Sequence, residues 1–309
     1  MNPFRRPANA AALTALTLAL WTHEARAVVL SGEDGNANAE APHFGLPWFH
    51  VGRRAAYSAV YLGNRWVLTA AHVGAFPVHF GNRRYKPQLN SVQRILNRDG
   101  TSSDLIAYRI HAAPPLSLLP IARSSPQPGT PVWMLGQGFD RGEQSFWTDS
   151  EGIRHPGFAT SPTRTMRWGT TRIEAEATEI KKHGVWTRVI ATTFSPPSDP
   201  GSTRHEAQAA VGDSGGALFV FENNRFALAG VMILRAQDSR QPEAMTLYRN
   251  RTLAADLSYY RDQLIALVRP DCSDEIDNDD DGDIDFPRDP GCRTPTDNSE
   301  VGGRAGVAR

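Results

Sequence analysis

The chain has 309 residues and carries equal numbers of basic and acidic side chains, 33 of each, with 40% hydrophobic and 21% charged residues. This is the ordinary balance of a globular protein. After the N-terminal segment no uninterrupted apolar stretch reaches about 18 residues, which excludes a bilayer-spanning helix there. The basic residues of 1–270 are scattered rather than clustered, so nothing indicates a nucleic-acid partner.

The N-terminus has the order of charges and apolar residues that is typical of an export signal. Arg5-Arg6 forms a positive region, Ala10 to Trp21 a short apolar core, and Ala25-Arg26-Ala27 a small-x-small cleavage site. A buried N-terminal helix would have no packing reason for this order. We therefore predict a signal peptide over residues 1–27 and export to the extracellular space, the periplasm or the cell surface. The arginine pair is a hint of twin-arginine export, with ordinary secretion as the default.

Two segments of the first half carry side chains suited to acid–base chemistry. The apolar, β-type run Trp66 to Ala71 ends at His72, and Asp104 begins a second β-type run that ends at Ile110. Taken alone, each has a structural explanation, because a histidine after a strand is commonly structural and an aspartate before one commonly caps a turn. Asp99, in a turn-like segment, is a rival to Asp104 but has no apolar strand after it.

The middle of the chain favours strands separated by clusters of Gly, Pro, Asn and Asp, as in an all-β barrel or sandwich. The predicted runs are Ala59–Thr69, Asp104–Ile110, Val132–Leu135, Gly184–Phe194, Ala217–Phe221 and Phe226–Leu234. Two long polar segments, Phe139–Met166 and Ser195–Gln208, are predicted to be loops that are either functional or tolerated surface insertions. Leu257 to Val268 has helical spacing behind Asp256, a candidate N-cap.

Gly212-Asp213-Ser214-Gly215-Gly216 is the most informative stretch of the chain. Glycines on both sides of Ser214 allow a tight turn that projects its hydroxyl. The same turn would aim the N–H groups of Gly212 and Ser214 at one point, which suits a developing oxyanion. Together with His72 and Asp104, this predicts a catalytic triad in the chain order His, Asp, Ser.

From about Val28 to Val268 the chain resembles the trypsin/chymotrypsin-like serine peptidases, in a bacterial secreted branch. The resemblance implies an all-β domain over residues 28–270, with two packed six-stranded antiparallel barrels and a C-terminal helix. It also implies a polypeptide substrate, a monomer and no cofactor for catalysis. Two departures stand out: Tyr57 and Val73 occupy positions where a cysteine pair often bridges the histidine loop, and the spacing from His72 to Asp104 is short.

The family also suggests an activation device. If the signal is removed after Ala27, the mature chain begins at Val28, and such enzymes often bury a new apolar N-terminus whose ammonium pairs with the aspartate before the serine, here Asp213. A buried carboxylate needs a partner. Signal cleavage would then create the activating terminus by itself. Pairing of Asp213 with an internal arginine is the alternative.

The resemblance places three residues at the primary substrate pocket. Gln208, six residues before Ser214, would lie near its base, while Ile233 and Arg235 would line its wall. A neutral glutamine disfavours cleavage after Lys or Arg, and Arg235 would narrow the pocket or attract an acidic side chain. The alternative is that Gln208 is an ordinary exposed polar residue.

Residues 271–309 differ in composition, with 12 acidic residues against 4 arginines, a net charge of −8. In an exported protein Cys272 and Cys292 most simply form one disulfide. Residues 271–292 resemble a thrombospondin type 3 or EF-hand-like calcium loop, because alternate carboxylates and a glycine let hard oxygens converge on Ca²⁺. Arg288 replaces the EF-hand's last glutamate. The predicted ligands are Asp277, Asp279, Asp281, Asp283, Asp285 and Asp289; residues 293–309 are predicted to be disordered.

These observations predict a secreted serine endopeptidase that works through an acyl-enzyme. Two other classes stay open: a catalytically idle relative that uses the fold as a binding module, and a serine esterase. The complete set of catalytic groups argues against the first, and the chain order of the triad against the second.

Overall fold

The computed structural model describes residues 28–32, 37–54, 57–273, 277, 281–295, 297 and 300. The predicted signal peptide therefore lies outside the described residues. In this part of the chain the protein is mostly β, with one short α-helix. The strands of the first half are β1 (Val29–Leu30), β2 (Val51–Arg54), β3 (Tyr57–Gly63), β4 (Trp66–Ala70), β5 (Val78–Phe80), β6 (Arg83–Tyr85), β7 (Gln93–Leu96) and β8 (Ser102–Arg109).

Ten more strands follow in the second half. They are β9 (Pro131–Gly136), β10 (Asp140–Thr148), β11 (Arg154–Ser161), β12 (Arg167–Lys182), β13 (Val185–Thr193), β14 (Ala207–Gln208), β15 (Ala217–Glu222), β16 (Arg225–Ala236), β17 (Met245–Leu247) and β18 (Arg251–Asp256). The helix α1 spans Arg261–Leu267, and single 3₁₀ turns occur at Trp48–His50, Leu89–Ser91 and Asp271–Ser273. None of the described helices has the length and apolar character needed to cross a bilayer.

Strands β2 to β8 of the first half form one antiparallel sheet of seven strands in the order β6-β5-β2-β3-β4-β8-β7, whereas β1 pairs with β14 of the second half. The family resemblance implied six strands in this half. The sheet in the structure has seven, which include the short hairpin β5–β6 and the edge strand β7. Its central strands β3 and β4 are buried along nearly their whole length, which is why their sequence reads as continuous apolar runs.

The second half closes into the expected six-stranded barrel, β12-β13-β18-β16-β15-β9. Its interior is continuous with that of the first half, because Leu68 and Leu105 of the sheet belong to the same buried cluster as Leu135 and Phe219 of the barrel. The two halves therefore share one apolar core, and loops from both meet along the seam between them.

The prediction that Phe139–Met166 is a loop is wrong. Most of it forms the antiparallel hairpin β10–β11, with Trp147 paired to His155 and their rings 5.2 Å apart, and β17 extends the sheet. Its polar side chains are largely exposed, so a strand without a buried apolar face left no alternating pattern in the sequence. The segment Ser195–Gln208 is a loop as expected, apart from β14 at its end.

Strands β12 and β13 form a long hairpin that extends from the barrel onto the first sheet. The backbone N–H of Asp104 donates to Thr187 Oγ1 over 2.9 Å, and Asn97 Nδ2 donates to the carbonyl of Trp186 over 3.0 Å. The tip is a two-residue turn, His183-Gly184, in which both residues have positive φ, between the pair Lys182 and Val185. These bonds fix the tip of the hairpin beside the end of β4.

The C-terminal helix begins later than predicted. Asp256 is the last residue of β18 and not an N-cap; its Oδ1 accepts hydrogen bonds from the backbone N–H and the hydroxyl of Ser258, which turns the chain before α1. Leu264 is the fully buried residue of the helix and belongs to the buried cluster that the two halves share.

The acidic tail is attached to the first half of the molecule. Asp271 is 2% exposed and pairs with the guanidinium groups of Arg65, at 2.8 Å, and Arg109. The predicted disulfide between Cys272 and Cys292 is present, with Cα atoms 5.6 Å apart. The backbone N–H of Cys272 donates to the carbonyl of Asp297, so contacts of the loop extend beyond its predicted limit at residue 292.

Candidate active site

Antiparallel pairing of β4 with β8 brings the predicted histidine and aspartate together. Ala70 pairs with Leu105, so His72, two residues past the end of β4, lies beside Asp104. The carboxylate of Asp104 accepts two hydrogen bonds from this one residue: its Oδ2 lies 2.8 Å from His72 Nδ1, and its Oδ1 accepts the His72 backbone N–H over 2.9 Å. Both the position and the orientation of the imidazole are thereby fixed.

Ser214 approaches the same imidazole from the other half of the molecule. It lies in the turn between β14 and β15, and its Oγ is 3.0 Å from His72 Nε2. Ser214, His72 and Asp104 thus form one hydrogen-bonded row across the seam. The rival Asp99 is not part of it, because its carboxylate accepts the backbone N–H and the hydroxyl of Thr101 within its own turn.

The turn around Ser214 requires its glycines. Gly212 and Gly215 have φ angles of +97° and +85°, in the region that side chains disfavour. A Cβ on Gly215 would in addition overlap the carbonyl oxygen of Ser58, whose own N–H donates to the Ser214 carbonyl over 3.0 Å. The backbone of β3 therefore holds the nucleophile turn directly.

The two backbone amides that the sequence assigns to an oxyanion site are available to a ligand. Within the described part of the chain, the N–H groups of Gly212 and Ser214 donate to no other protein group. Their neighbours are engaged: Asp213 N–H donates to the Ala210 carbonyl and Gly216 N–H to the Asp213 carbonyl. Such a pair of donors suits an oxygen that gains negative charge.

Asp213 points away from the surface into a pocket made by the backbone. Its side chain is fully buried and accepts hydrogen bonds from the N–H groups of Gly138, at 2.5 Å, Ala210, at 2.7 Å, and Val28. Burial raises the pKa of Asp213 to about 7, against the lowering effect of these bonds and of the Arg164 charge. The structure therefore places the backbone N–H of Val28 beside the Asp213 carboxylate.

A second buried acid, Asp140, lies close enough to Asp213 for the two carboxylates to repel each other. Burial likewise raises the pKa of Asp140 to about 7, opposed by hydrogen bonds from Thr163 and Thr165 and by the Arg167 charge. Two adjacent buried carboxyls resist simultaneous ionisation unless a cation neutralises them.

The three residues expected at the substrate pocket are all largely withdrawn from solvent. Gln208 is fully buried, pairs with Val29, and its amide atoms have no partner among the described residues. Ile233 is 2% exposed. Arg235 donates to the carbonyls of Glu243 and Met245, so its guanidinium is fixed against the segment before β17.

His183 is a neighbour of this site that the sequence analysis did not identify. Its ring stacks on that of His72, with centroids 4.4 Å apart and planes 23° from parallel. Burial and then the charge of His72 lower the pKa of His183. Gly184 is compatible with a tight turn, but no local pattern places that turn against another histidine 111 residues earlier.

Of the predicted calcium ligands in the acidic tail, only Asp289 belongs to a cluster of possible metal ligands among the described residues. Asp279 lies outside the described residues, and among those described Asp277, Asp281, Asp283 and Asp285 form no tight ligand cluster. Asp289 is 2% exposed, its Oδ2 lacks a hydrogen-bond partner, and its carboxylate lies within 4.8 Å of that of Glu300, which is 1% exposed. Glu300 was not predicted, because it lies outside the disulfide-bracketed loop.

A search of curated proteins found no match for this chain. Solved structures that match the chain include Rv3671c from M. tuberculosis H37Rv, in an inactive mutant form, at 17% identity and a TM-score of 0.43, covering 70% of this chain and 83% of that one. The NS6 protease from murine norovirus 1 matches at 15% identity and a TM-score of 0.38, covering 70% and 93%.

The sequence itself gives the stronger comparison. The family model described as Trypsin matches residues 38–256, a range that contains the histidine, the aspartate, the serine turn and both β halves. With that match over most of its length, the chain belongs to the trypsin family.

Proposed function

We propose that this protein is a secreted serine endopeptidase, with His72, Asp104 and Ser214 as its catalytic residues. Membership of the trypsin family supports a peptidase. The observation that carries the finer proposal is the hydrogen-bonded row in which Ser214 Oγ lies 3.0 Å from His72 Nε2 and Asp104 lies 2.8 Å from His72 Nδ1.

Each side chain has a separate task in this proposal. His72 removes the proton from Ser214 as the oxygen attacks the carbonyl carbon of the peptide bond, then gives that proton to the departing amine. Asp104 holds the Nδ1–H tautomer and stabilises the imidazolium that forms. The C–N bond breaks, the acyl group stays on Ser214, and water attacks the ester in a second cycle with His72 again as base.

The amides of Gly212 and Ser214 stabilise the oxyanion in both steps. Because their backbone is held by the turn before any substrate binds, no reorganisation is needed when charge develops. Loss of one such donor typically costs about 3–4 kcal/mol of transition-state stabilisation. No cofactor is needed for this chemistry.

Activation follows from the position of Val28. Cleavage after Ala27 would turn the backbone amide that now contacts Asp213 into an ammonium group, which would neutralise the buried carboxylate and hold the turn before Ser214 in place. Export and activation would thereby be one event. The charge of Arg164 acts on Asp213 as well and is the candidate for the internal alternative.

For specificity we retain the proposal that Gln208, Ile233 and Arg235 shape the primary pocket. A neutral, buried Gln208 offers no charge to a basic substrate side chain, which disfavours cleavage after Lys or Arg. Because the Arg235 guanidinium is bound to two carbonyls, it acts through its bulk rather than as an ion-pair partner. Profiling with a peptide library tests this, and dominant cleavage after Lys or Arg would refute it.

For the tail we propose a Ca²⁺ site formed by the acidic loop, with Glu300 added to the predicted ligands. The unpartnered, buried Oδ2 of Asp289 fits a hard cation, since a buried carboxylate without a counterion is costly. Glu300 would supply the carboxylate that Arg288 cannot. The loop would bind the ion for stability and takes no part in the peptidase chemistry.

Hydrolysis of casein by the purified mature protein separates the functional classes. A serine endopeptidase degrades casein and loses that activity with a serine-directed inhibitor or with Ser214→Ala. A catalytically idle binding module does not degrade casein at all. An esterase cleaves small acyl esters but leaves casein intact.

A further inference from the structure

The ring of His183 gives the active site a feature that the proposed peptidase mechanism does not use. It belongs to the β12–β13 hairpin of the second half, yet it stacks on His72 at 4.4 Å. One ligand atom each from His72, His183 and the buried Asp104 lie within 4.8 Å of one another. Imidazole nitrogens are ligands that Zn²⁺ prefers, and a carboxylate that accepts the other N–H of a metal-binding imidazole fixes the orientation of that ring.

The position of His183 is imposed by the fold rather than by a mobile loop. The hairpin is bonded to the first sheet through Thr187 and Trp186, within four residues of the turn. The side chain of His183 is itself exposed, so its ring can turn about its own bonds without moving the backbone.

We propose that a divalent transition metal such as Zn²⁺ binds between His72 and His183 and reversibly inhibits the enzyme. Asp104 already occupies Nδ1 of His72, so the nitrogen left for a metal is Nε2, which faces Ser214. A histidine that binds zinc through one nitrogen while donating the other N–H to a carboxylate is the usual arrangement in zinc sites.

Zinc binding exchanges water for protein ligands and transfers no electron. Zn²⁺ would lose two bound waters and gain bonds of about 2.0–2.1 Å to one nitrogen of each imidazole. The His183 ring must tilt out of the stack for both lone pairs to point at one ion. The lone pair that would accept the Ser214 proton is then held by the metal, and attack by the hydroxyl stops.

The proposal rests on the proposed function for its inhibitory effect, but zinc binding can be measured without catalysis. Calorimetric titration of Zn²⁺ into the Ser214→Ala protein, with excess Ca²⁺ present to occupy the acidic tail, should show one bound ion. Because a ligand is lost, His183→Phe, which keeps an aromatic ring on His72, should weaken binding at least about tenfold. His155→Phe, in the distant β10–β11 hairpin, is the matched control and should leave the affinity unchanged.

Activity gives the second readout. The rate of each protein in Zn²⁺ is divided by its own rate in EDTA. The Zn²⁺ concentration that halves the activity should be at least about tenfold lower for the unaltered chain than for the His183→Phe variant. No Zn²⁺ binding, or equal binding by the His183→Phe variant, overturns the proposal even if the protein is a peptidase. Binding that depends on His183 in a protein without peptidase activity would support the metal site and contradict the proposed function alone.

Discussion

The backbone N–H of Val28 donates a hydrogen bond to the carboxylate of Asp213, which is fully buried directly before the serine of the nucleophile turn. A peptide N–H is a weak partner for a buried carboxylate, and an ammonium group at the same atom would be a strong one. Cleavage after Ala27, as predicted, would therefore change the charge of the group that contacts Asp213, the residue that precedes Ser214.

The first prediction concerns the new N-terminus. Protein that begins at Val28 should be fully active, whereas the same protein with one alanine retained before Val28 should lose at least about tenfold in kcat/KM, because the ammonium is displaced from Asp213. Mass spectrometry defines each terminus and peptide hydrolysis gives the rate. Equal rates for the two forms would show that the ammonium has no role.

The second prediction concerns pH. With residues 1–27 still attached, burial raises the pKa of Asp213 to about 7. The folded protein then holds a proton that the unfolded chain releases between about pH 4 and pH 7, so the free energy of unfolding falls as pH rises through that window. In the mature protein the ammonium of Val28 should favour the carboxylate and reduce this loss.

Urea unfolding of both forms, each carrying Ser214→Ala to prevent self-digestion, measures the difference. Between about pH 5 and pH 8 the uncleaved form should lose at least about 1 kcal/mol more than the mature form. Asp140 is present in both forms, so the burial that raises its pKa contributes to both profiles. If the free energy of unfolding changed with pH by the same amount in both forms, Asp213 would not be paired with the Val28 ammonium in the mature protein.

The third prediction separates the two candidate aspartates. Asp104→Asn keeps the size of the side chain but no longer favours the Nδ1–H tautomer of His72, so kcat should fall by about 10³–10⁴-fold. Asp99→Asn, in the neighbouring turn where the carboxylate contacts only Thr101 in the described structure, should change kcat by less than about twofold. Steady-state kinetics on both variants decides the assignment, and a larger effect at Asp99 would reverse it.

The fourth prediction concerns the nucleophile turn. Gly215→Ala places a methyl group against the Ser58 carbonyl at a positive φ, and should cost at least about 2 kcal/mol of unfolding free energy. Gly152→Ala is the matched control: its φ is +81°, but no atom lies within 4 Å of the added carbon, so only backbone strain of about 1 kcal/mol is expected. Equal losses would mean that β3 does not constrain the turn.

The fifth prediction concerns the tail. Ca²⁺ should raise the resistance of residues beyond 270 to an added protease, and Asp289→Asn or Glu300→Gln should remove that protection without lowering peptidase activity. Asp262→Asn, on the exposed side of α1, serves as a control for the loss of one negative charge. Calorimetry without detectable binding at millimolar Ca²⁺ would exclude the site.

The sequence predicted those parts of the site whose backbone geometry is set by neighbouring residues in the chain. The strings around His72 and Ser214 encode a strand end and a glycine turn, and both are recognisable without a structure because their backbone constraints are local. The all-β class followed from apolar runs such as Ala217–Phe221, whose first four residues are buried, whereas the six-stranded barrel was implied by the family resemblance.

What escaped prediction depends on contacts between distant segments. Strands β10 and β11 form an exposed hairpin and show only a weak alternation of apolar and polar side chains. Their sequence therefore resembles that of a polar loop. His183 and Glu300 gain their significance from neighbours that only folding supplies: the His72 ring in one case and the Asp289 carboxylate in the other.

The central claim is that Ser214 is a nucleophile activated by His72. The most direct measurement is labelling of the mature protein with a serine-directed phosphonate, followed by mass spectrometric mapping of the adduct. The account predicts a single adduct on Ser214 that appears as activity is lost, and no labelling of the His72→Ala variant. An adduct on another serine, or activity that survives full modification of Ser214, would contradict it.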